Sequence, residues 1–124
     1  MQKTILTIAG FSGMAAVIVG AFGAHKLEPI LVANNTLDTF QTASEYHFYH
    51  TFLLIALGIL SRRIPKRYTQ FSFISTLAGM IVFSGSLYIY SLLGLKTLAM
   101  ITPIGGLFLI LGWIGFIVAV IFKK

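Results

Sequence analysis

The number of membrane spans in this chain depends on the stretch "ASEYHFYHTFLLIALGILSRR", from Ala43 to Arg63. Its uninterrupted apolar run, Phe52 to Leu60, is only nine residues long, yet it ends against a basic cluster. A helix needs about 20 mostly apolar residues to cross a bilayer. The segment is therefore either a short buried helix or a full span that carries Glu45, His47 and His50 into the lipid.

The composition makes lipid the expected solvent. Of the 124 residues, 57% are hydrophobic and 10% are charged, whereas about a quarter of the residues in a soluble domain are charged. The chain has no cysteine, which excludes disulfides, thiolate metal sites and a cysteine nucleophile. The net charge of +6 comes from basic residues beside apolar runs, so it indicates membrane topology and not nucleic-acid binding.

Four apolar segments predict one all-α domain over residues 1–124, an integral membrane four-helix bundle. We expect spans at residues 4–24, 40–61, 69–94 and 99–122, joined in the middle by a basic loop at 62–68. The segment at 40–61 must cross if the other segments are to alternate in direction. A competing interpretation makes the first segment a cleaved signal peptide, although its apolar stretch is longer than a typical signal.

The positive-inside rule orients these spans. The loop contains four of the basic residues, and Lys3, Lys123 and Lys124 fall on the same side, which predicts that both termini are cytoplasmic. The loop also offers a binding site for anionic lipid, since each basic residue near such a surface contributes about 1 kcal/mol. Its basic residues are Arg62, Arg63, Lys66 and Arg67.

Counting back from Ser61 at the helical rise places His50 roughly 15 Å from the inner edge, near the midplane. A charge there costs at least about 2.5 kcal/mol, so we expect His50 to be neutral and to face the bundle interior. His47 and His50 share a face by their spacing. His50 is either a hydrogen-bonding link between helices or a proton or ligand site. A metal site at Glu45, His47 and His50 is weaker, because their spacing matches no closed motif.

The other polar groups are predicted to gather with His50 between the midplane and the outer surface. Thr102 as N-cap with Pro103 at the first helical position would start the last span, and a kinked helix beginning at Leu98 is the alternative. Ser84 and Ser86 should point to different faces of the third span. The candidate cluster for structure or ligand binding is His25, Tyr46, His50, Ser84, Ser86 and Thr102.

Small residues recur at helical spacing in the first and last spans, which allows close approach of another helix, within the chain or between protomers of a homo-oligomer. The glycines expected to pack helices are Gly13, Gly20, Gly23, Gly85, Gly105, Gly106 and Gly112.

Several motifs in order resemble a known family. They are "GAFGAH" (20–25), the pair Tyr46 and His50, "FSGSLY" (83–88), "TPIGG" (102–106) and "GW" (112–113). Together they are similar to the domain of unknown function 423 (YgdD/YwdK-like) family of small membrane proteins. The resemblance implies four spans in the cytoplasmic membrane and supplies no reaction, substrate or cofactor. Glu45 and His47 are outside its pattern.

The leading functional hypothesis is a non-enzymatic structural or accessory protein that packs through its glycine stripes and stabilises other membrane components. The alternative is binding or translocation of a small solute, proton or lipid headgroup through the cluster around His25 and His50. A membrane enzyme with Ser84 or Ser86 activated by His50 is the weakest hypothesis, because the chain carries no nucleophile-elbow or HExxH signature.

Overall fold

The computed structural model of the protein describes residues 1–123, so Lys124 and its predicted place beside Lys123 lie outside the described residues. The described chain is helical and contains no strand. The helices are α1 (Gln2–Ala24), α2 (Glu28–Ala33), α3 (Leu37–Leu60), α4 (Lys66–Leu93) and α5 (Thr102–Ile121), with a 3₁₀ turn at Lys96–Met100 before α5.

The four long helices pack side by side in chain order. The helix α1 lies on α3, α3 lies on α4, and α4 lies on α5. Each pair is antiparallel: Gly23 meets Phe40 at one end of the first pair, while Gly58 meets Leu6 at the other. The α3–α4 pair therefore forms the centre, and α1 and α5 flank it.

Many large apolar side chains lie on the outside of this protein and many hydroxyl groups lie inside it, unlike in a soluble protein. Large apolar side chains such as Phe11, Phe52 and Ile81 are more than 60% exposed. The fully buried positions of α4 include Thr69, Ser72, Thr76 and Ser91. This arrangement suits a lipid solvent, because hydrocarbon solvates apolar side chains while hydroxyls must find partners inside the protein.

Three segments are long and apolar enough to cross a membrane: Gln2–Ala24, Lys66–Leu93 and Lys96–Ile121. The helix α3 is not among them, as expected from its short apolar run. Its 24 residues nevertheless extend about 36 Å, enough to match its neighbours. The crossing of α3, and with it the predicted fourth span, stays a prediction.

The start of α5 differs from both predictions. Thr102 is the first helical residue and Ile101 takes the N-cap position, so Thr102 does not cap the helix. The kinked helix from Leu98 is also wrong, because residues 96–100 form a separate 3₁₀ turn. The physical reason is the Thr102 hydroxyl, which hydrogen-bonds the Ser86 hydroxyl of α4 at 2.6 Å and lies 3.3 Å from the Leu98 carbonyl oxygen.

The seam between α4 and α5 brings the two backbones close together, and glycines make this possible. A Cβ at Gly105 would overlap the backbone of Phe83, and a Cβ at Gly112 would overlap the Thr76 hydroxyl. Ser72 donates a 2.7 Å hydrogen bond to the Gly112 carbonyl across the seam. Gly105 and Gly112 therefore lie where α4 and α5 approach each other closely.

Thr76 is a special case at this seam. Its hydroxyl is the buried side-chain oxygen that lacks a hydrogen-bond partner within residues 1–123. The Thr76 hydroxyl oxygen lies where a Cβ of Gly112 would stand. Because glycine has a hydrogen in place of Cβ, this oxygen faces an α-hydrogen of Gly112. Contacts of this Cα–H···O kind recur where helices approach closely.

The other predicted packing glycines divide into three groups. At Gly23 a Cβ would overlap the Phe40 ring. At Gly13, Gly20 and Gly106 an added Cβ would make ordinary contacts of 3.5–3.7 Å. At Gly85 a Cβ would meet nothing within 4 Å. Its side of α4 faces an open groove.

Two further packing glycines escaped the sequence pattern. A Cβ at Gly58 would stand 2.5 Å from Leu6 Cδ2, and one at Gly79 would stand 2.7 Å from the Leu109 backbone nitrogen. Both glycines are isolated in apolar sequence and belong to no stripe.

Replacing Gly105 or Gly112 with Ala should destabilise the protein by about 1–3 kcal/mol, because the added methyl group overpacks a seam that cannot open locally. Unfolding in detergent followed by circular dichroism measures this loss. Gly85→Ala is the matched control. It adds the same methyl group to a helix but meets no neighbour, so it should be neutral or slightly stabilising. An equal loss in all three variants would contradict the close-contact seam.

Candidate functional site

His50 joins α3 to α5. The residue is buried, and its Nδ1 lies 2.7 Å from the backbone carbonyl oxygen of Tyr46, one turn earlier in α3. On its other side, the indole N–H of Trp113 in α5 donates to His50 Nε2 at 3.1 Å. The imidazole therefore makes hydrogen bonds with both of its ring nitrogens.

These two partners determine the protonation state of His50. A carbonyl oxygen only accepts and an indole N–H only donates, so Nδ1 must carry the proton and Nε2 must be bare. A second proton on Nε2 would face the Trp113 N–H, and the α3–α5 hydrogen bond would be lost. His50 is thus a neutral donor–acceptor link in this geometry, as its depth in the sequence predicts.

His47 lies at the centre of a second network, on the α1 side of the bundle. Its Nε2 lies 3.1 Å from the Ser12 hydroxyl of α1, and its Nδ1 lies 3.0 Å from the Tyr88 hydroxyl of α4. The Ser12 hydroxyl also lies 2.6 Å from that of Thr51, which donates back to the His47 carbonyl at 2.8 Å. This network connects three helices through one histidine.

The two histidines do not act on a common face, although their spacing predicts that they should. His47 contacts α1 and α4, whereas His50 contacts α5. Positions three apart on a helix are rotated by about 60°, and at the centre of a bundle this rotation is enough to direct them to different neighbours.

The two serines of "FSGSLY" also bind different helices. Ser84 donates to the Ala43 carbonyl of α3 at 3.0 Å. Ser86 points the other way, donating to its own Phe83 carbonyl at 3.0 Å and lying 2.6 Å from the Thr102 hydroxyl of α5. As the sequence predicts, they occupy opposite sides of α4.

His25 does not join the predicted cluster. It is exposed just after the end of α1, beside the level at which Gly23 meets Phe40. His50 lies ten residues farther along α3, roughly 15 Å deeper. Tyr46 stands nearer, with its ring 6.1 Å from that of His50 and 4.8 Å from that of Phe83.

The members of the predicted cluster are therefore spread over separate contacts. His50 links α3 to α5, Ser84 links α4 to α3, and Ser86 with Thr102 links α4 to α5. The network around His47, between α1, α3 and α4, lies outside the predicted cluster. Sequence spacing places these groups at similar depths, but it does not tell which neighbouring helix each of them faces.

Sequence reasoning missed Ser12, Thr51 and Tyr88 and gave too little weight to His47. One signal was available, since Thr51 lies four residues after His47 and Tyr88 lies four residues after Ser84, which puts each pair on one helix face. The partner of Trp113 was not predictable from spacing within a single helix.

No group of three metal-ligating side chains occurs in residues 1–123 that is arranged to hold an ion. His47 and His50 use their ring nitrogens for different helices, and Glu45 is exposed. The described geometry thus brings none of the conspicuous metal-like residues together.

Lateral grooves lie beside both networks. One of about 480 Å³ runs between α1 and α4 and is bordered by Phe11, Ser12, His47, Gly85 and Tyr88 among others. The other, of about 540 Å³, lies between α3 and α5 beside Tyr46, His50 and Trp113. Both grooves are lined mainly by apolar side chains.

The apolar exterior, the long helices and the internally bonded polar side chains define an α-helical integral membrane protein. The comparisons with known proteins agree and identify the family. Residues 19–106 match the family model described as "Protein of unknown function (DUF423)", and the chain belongs to this family. The resemblance found in its motifs is thereby confirmed.

The relatives cover almost the whole chain. A UPF0382 membrane protein of Staphylococcus aureus is 38% identical over 118 residues, 95% of each chain. The UPF0382 membrane protein YwdK of Bacillus subtilis is 34% identical, covering 97% of this chain and 98% of its own. The UPF0382 inner membrane protein YgdD of Escherichia coli K12 is 34% identical, covering 90% and 85%. No solved structure matches the chain.

These relatives place the protein in the cell membrane, as a multi-pass protein in contact with the lipid bilayer. The family description names no reaction.

Replacing His47 with Leu should lower the free energy of unfolding by about 1 kcal/mol, since it removes two interhelical hydrogen bonds that average about 0.6 kcal/mol each in membrane proteins. Tyr88→Phe removes one of them and should have about half the effect. Glu45→Gln is the control, because this exposed neighbour should change nothing. Unfolding in detergent tests the order, and a Glu45 effect as large as that of His47 would contradict the network.

Proposed function

We propose that this protein is a non-enzymatic structural or accessory component of the membrane, a rigid helical module that stabilises or assists other membrane components. One observation carries the proposal: the most deeply placed ionisable residue, His50, is satisfied at both ring nitrogens by helix contacts. An intramembrane histidine that serves a proton path needs a nitrogen that exchanges protons with a partner along the path. Here Nδ1 is bonded within α3 and Nε2 holds α3 to α5, so both nitrogens are occupied.

The remaining candidate residues support the same role. Ser84, Ser86 and Thr102 each hydrogen-bond across to another helix. Among residues 1–123, His50 hydrogen-bonds Tyr46 and Trp113 and none of these hydroxyls, so the pairing of base and nucleophile that covalent catalysis requires is not formed. The polar groups instead form hydrogen bonds that hold the helices together.

A structural module also needs an exterior that other membrane proteins can contact. The outward faces of α1 and α5 expose large apolar side chains, among them Phe11, Val17, Leu107 and Ile121. We infer that lipid covers these faces in the isolated chain and that a partner protein or a second copy of the chain covers part of them in an assembly.

The orientation in the membrane belongs to this proposal. We infer that α3 crosses with the other three long helices and that both termini and the basic loop are cytoplasmic. The support is the asymmetry of charge: Arg62, Arg63, Lys66 and Arg67 follow α3, while the acidic residues Glu28, Asp38 and Glu45 lie toward the opposite end.

The His50 link is tested by a double-mutant cycle. His50→Leu and Trp113→Phe should each destabilise the protein, and their combination should cost less than the sum by about 0.6 kcal/mol, because both remove the same hydrogen bond. His50→Gln is the matched variant, since its amide both donates and accepts and should retain assembly. Proteoliposomes provide the functional arm: a proton flux that His50→Leu abolishes in a folded protein would overturn the structural role.

The topology is tested with single cysteines, which is direct because the chain contains none. A cysteine replacing Lys66 should react with a membrane-impermeant maleimide only after intact cells are opened. A cysteine replacing Lys96 should react in intact cells. The same labelling at both positions would mean that α4 does not cross.

A further inference from the structure

The cytoplasmic-loop end of the bundle contains a hollow of about 450 Å³ bordered by Arg62, Arg63, Ile64, Pro65 and Lys123, which we call the basic hollow. Its three cations come from two places in the chain: the turn between α3 and α4, and the residue that follows α5. All three are exposed. The hollow is therefore an open pocket with a positive rim, set at the end of a membrane bundle.

Topology alone does not explain this convergence. The positive-inside rule requires basic residues on one side of the membrane, but not around one pocket. Here the end of α5 is held against the start of α4 by the stacked rings of Tyr68 and Phe122, whose centroids lie 5.7 Å apart. This contact brings Lys123 beside the arginines of the loop.

The positive potential of the hollow has little compensation nearby. The helix α4 begins at Lys66 with no acidic residue in its first turn, and its N-cap, Pro65, supplies no side-chain hydrogen bond. Two cations, Lys66 and Arg67, thus stand at the positive end of a helix dipole, where anions are favoured. The three acidic residues of the chain are at 28, 38 and 45, away from this end.

The surroundings favour a lipid over a free anion. The walls of the hollow include the apolar Ile64 and Pro65. Beside it, Arg67 stands at an apolar groove of about 440 Å³ along α4 and α5, bordered by Tyr68, Phe71 and Val118. Arg67 lies over the Tyr68 ring, 4.5 Å from its centroid, so it is oriented at this groove. A cation at the end of an apolar groove is complementary to an anionic lipid, whose headgroup would face the cation and whose acyl chain would lie in the groove.

We propose that the basic hollow binds the phosphate of an anionic phospholipid, with Arg62, Arg63 and Lys123 around the phosphate oxygens and the acyl chains along the apolar surface below. Arginine presents paired N–H donors that fit phosphate oxygens, and lysine adds a point charge. This site deepens the proposed stabilising role by naming a ligand, but it does not depend on the hydrogen bonds of His50.

Binding is measured by native mass spectrometry of the full-length protein in detergent, titrated with phosphatidylglycerol or with phosphatidylcholine of the same acyl chains. We expect a clear preference for phosphatidylglycerol. In Arg63→Gln combined with Lys123→Gln, phosphatidylglycerol should bind roughly 25-fold more weakly, about fivefold for each basic residue removed. Binding of phosphatidylcholine should change little.

The matched control is Lys26→Gln combined with Lys96→Gln, which lowers the net charge equally at the other end. It should retain the preference, and circular dichroism should show both double variants to be folded. The proposal is wrong if the two double variants lose the preference equally, or if the wild-type protein shows none. Displacement of the lipid by an equal concentration of inorganic phosphate would overturn the lipid as the occupant. The double-mutant cycle at His50 and Trp113 is unaffected by any of these outcomes.

Discussion

A polar side chain that is buried among helices loses water as a partner, so it must hydrogen-bond within the protein. His50 meets this constraint through Tyr46 and Trp113, and His47 meets it through Ser12 and Tyr88. Because each of these bonds crosses between helices or fixes a side chain that does, satisfying the constraint also fixes the helix order. One half of α3 contains polar residues, which make this helix less apolar than its neighbours. The same residues form the hydrogen bonds that attach α3 to α1, α4 and α5.

Two kinds of contact hold the helices together. The α4–α5 seam relies on close backbone approach at Gly105 and Gly112. In lipid the hydrophobic effect does not drive helices together, so dispersion contacts stabilise this seam. The contacts of α3 rely more on hydrogen bonds, including those of His47 and Ser84. An added methyl group should therefore harm the first kind of contact and a lost hydrogen bond the second, which makes the two separable by mutation.

Much of the fold was predictable, because helix length and hydropathy are properties of contiguous sequence. The predicted span at 69–94 lies close to Lys66–Leu93, and that at 40–61 close to Leu37–Leu60. Errors arose where a partner on another helix decides the local structure, as at Thr102. The candidate site was less predictable: depth follows from counting residues, but the direction of each side chain depends on which helix stands opposite.

Residue order alone identifies the class of protein and the approximate helices, and it predicts a neutral, inward-facing His50, since a bilayer penalises charge and unpaired backbone in any tertiary arrangement. The packing of the helices adds that His47 and His50 contact different helices, that His25 stands apart, that Gly85 faces open space and that Lys123 borders the same hollow as two arginines of the loop. Hydropathy is a property of the residues in one helix, whereas hydrogen bonds and close packing between helices depend on how two helices are rotated relative to each other.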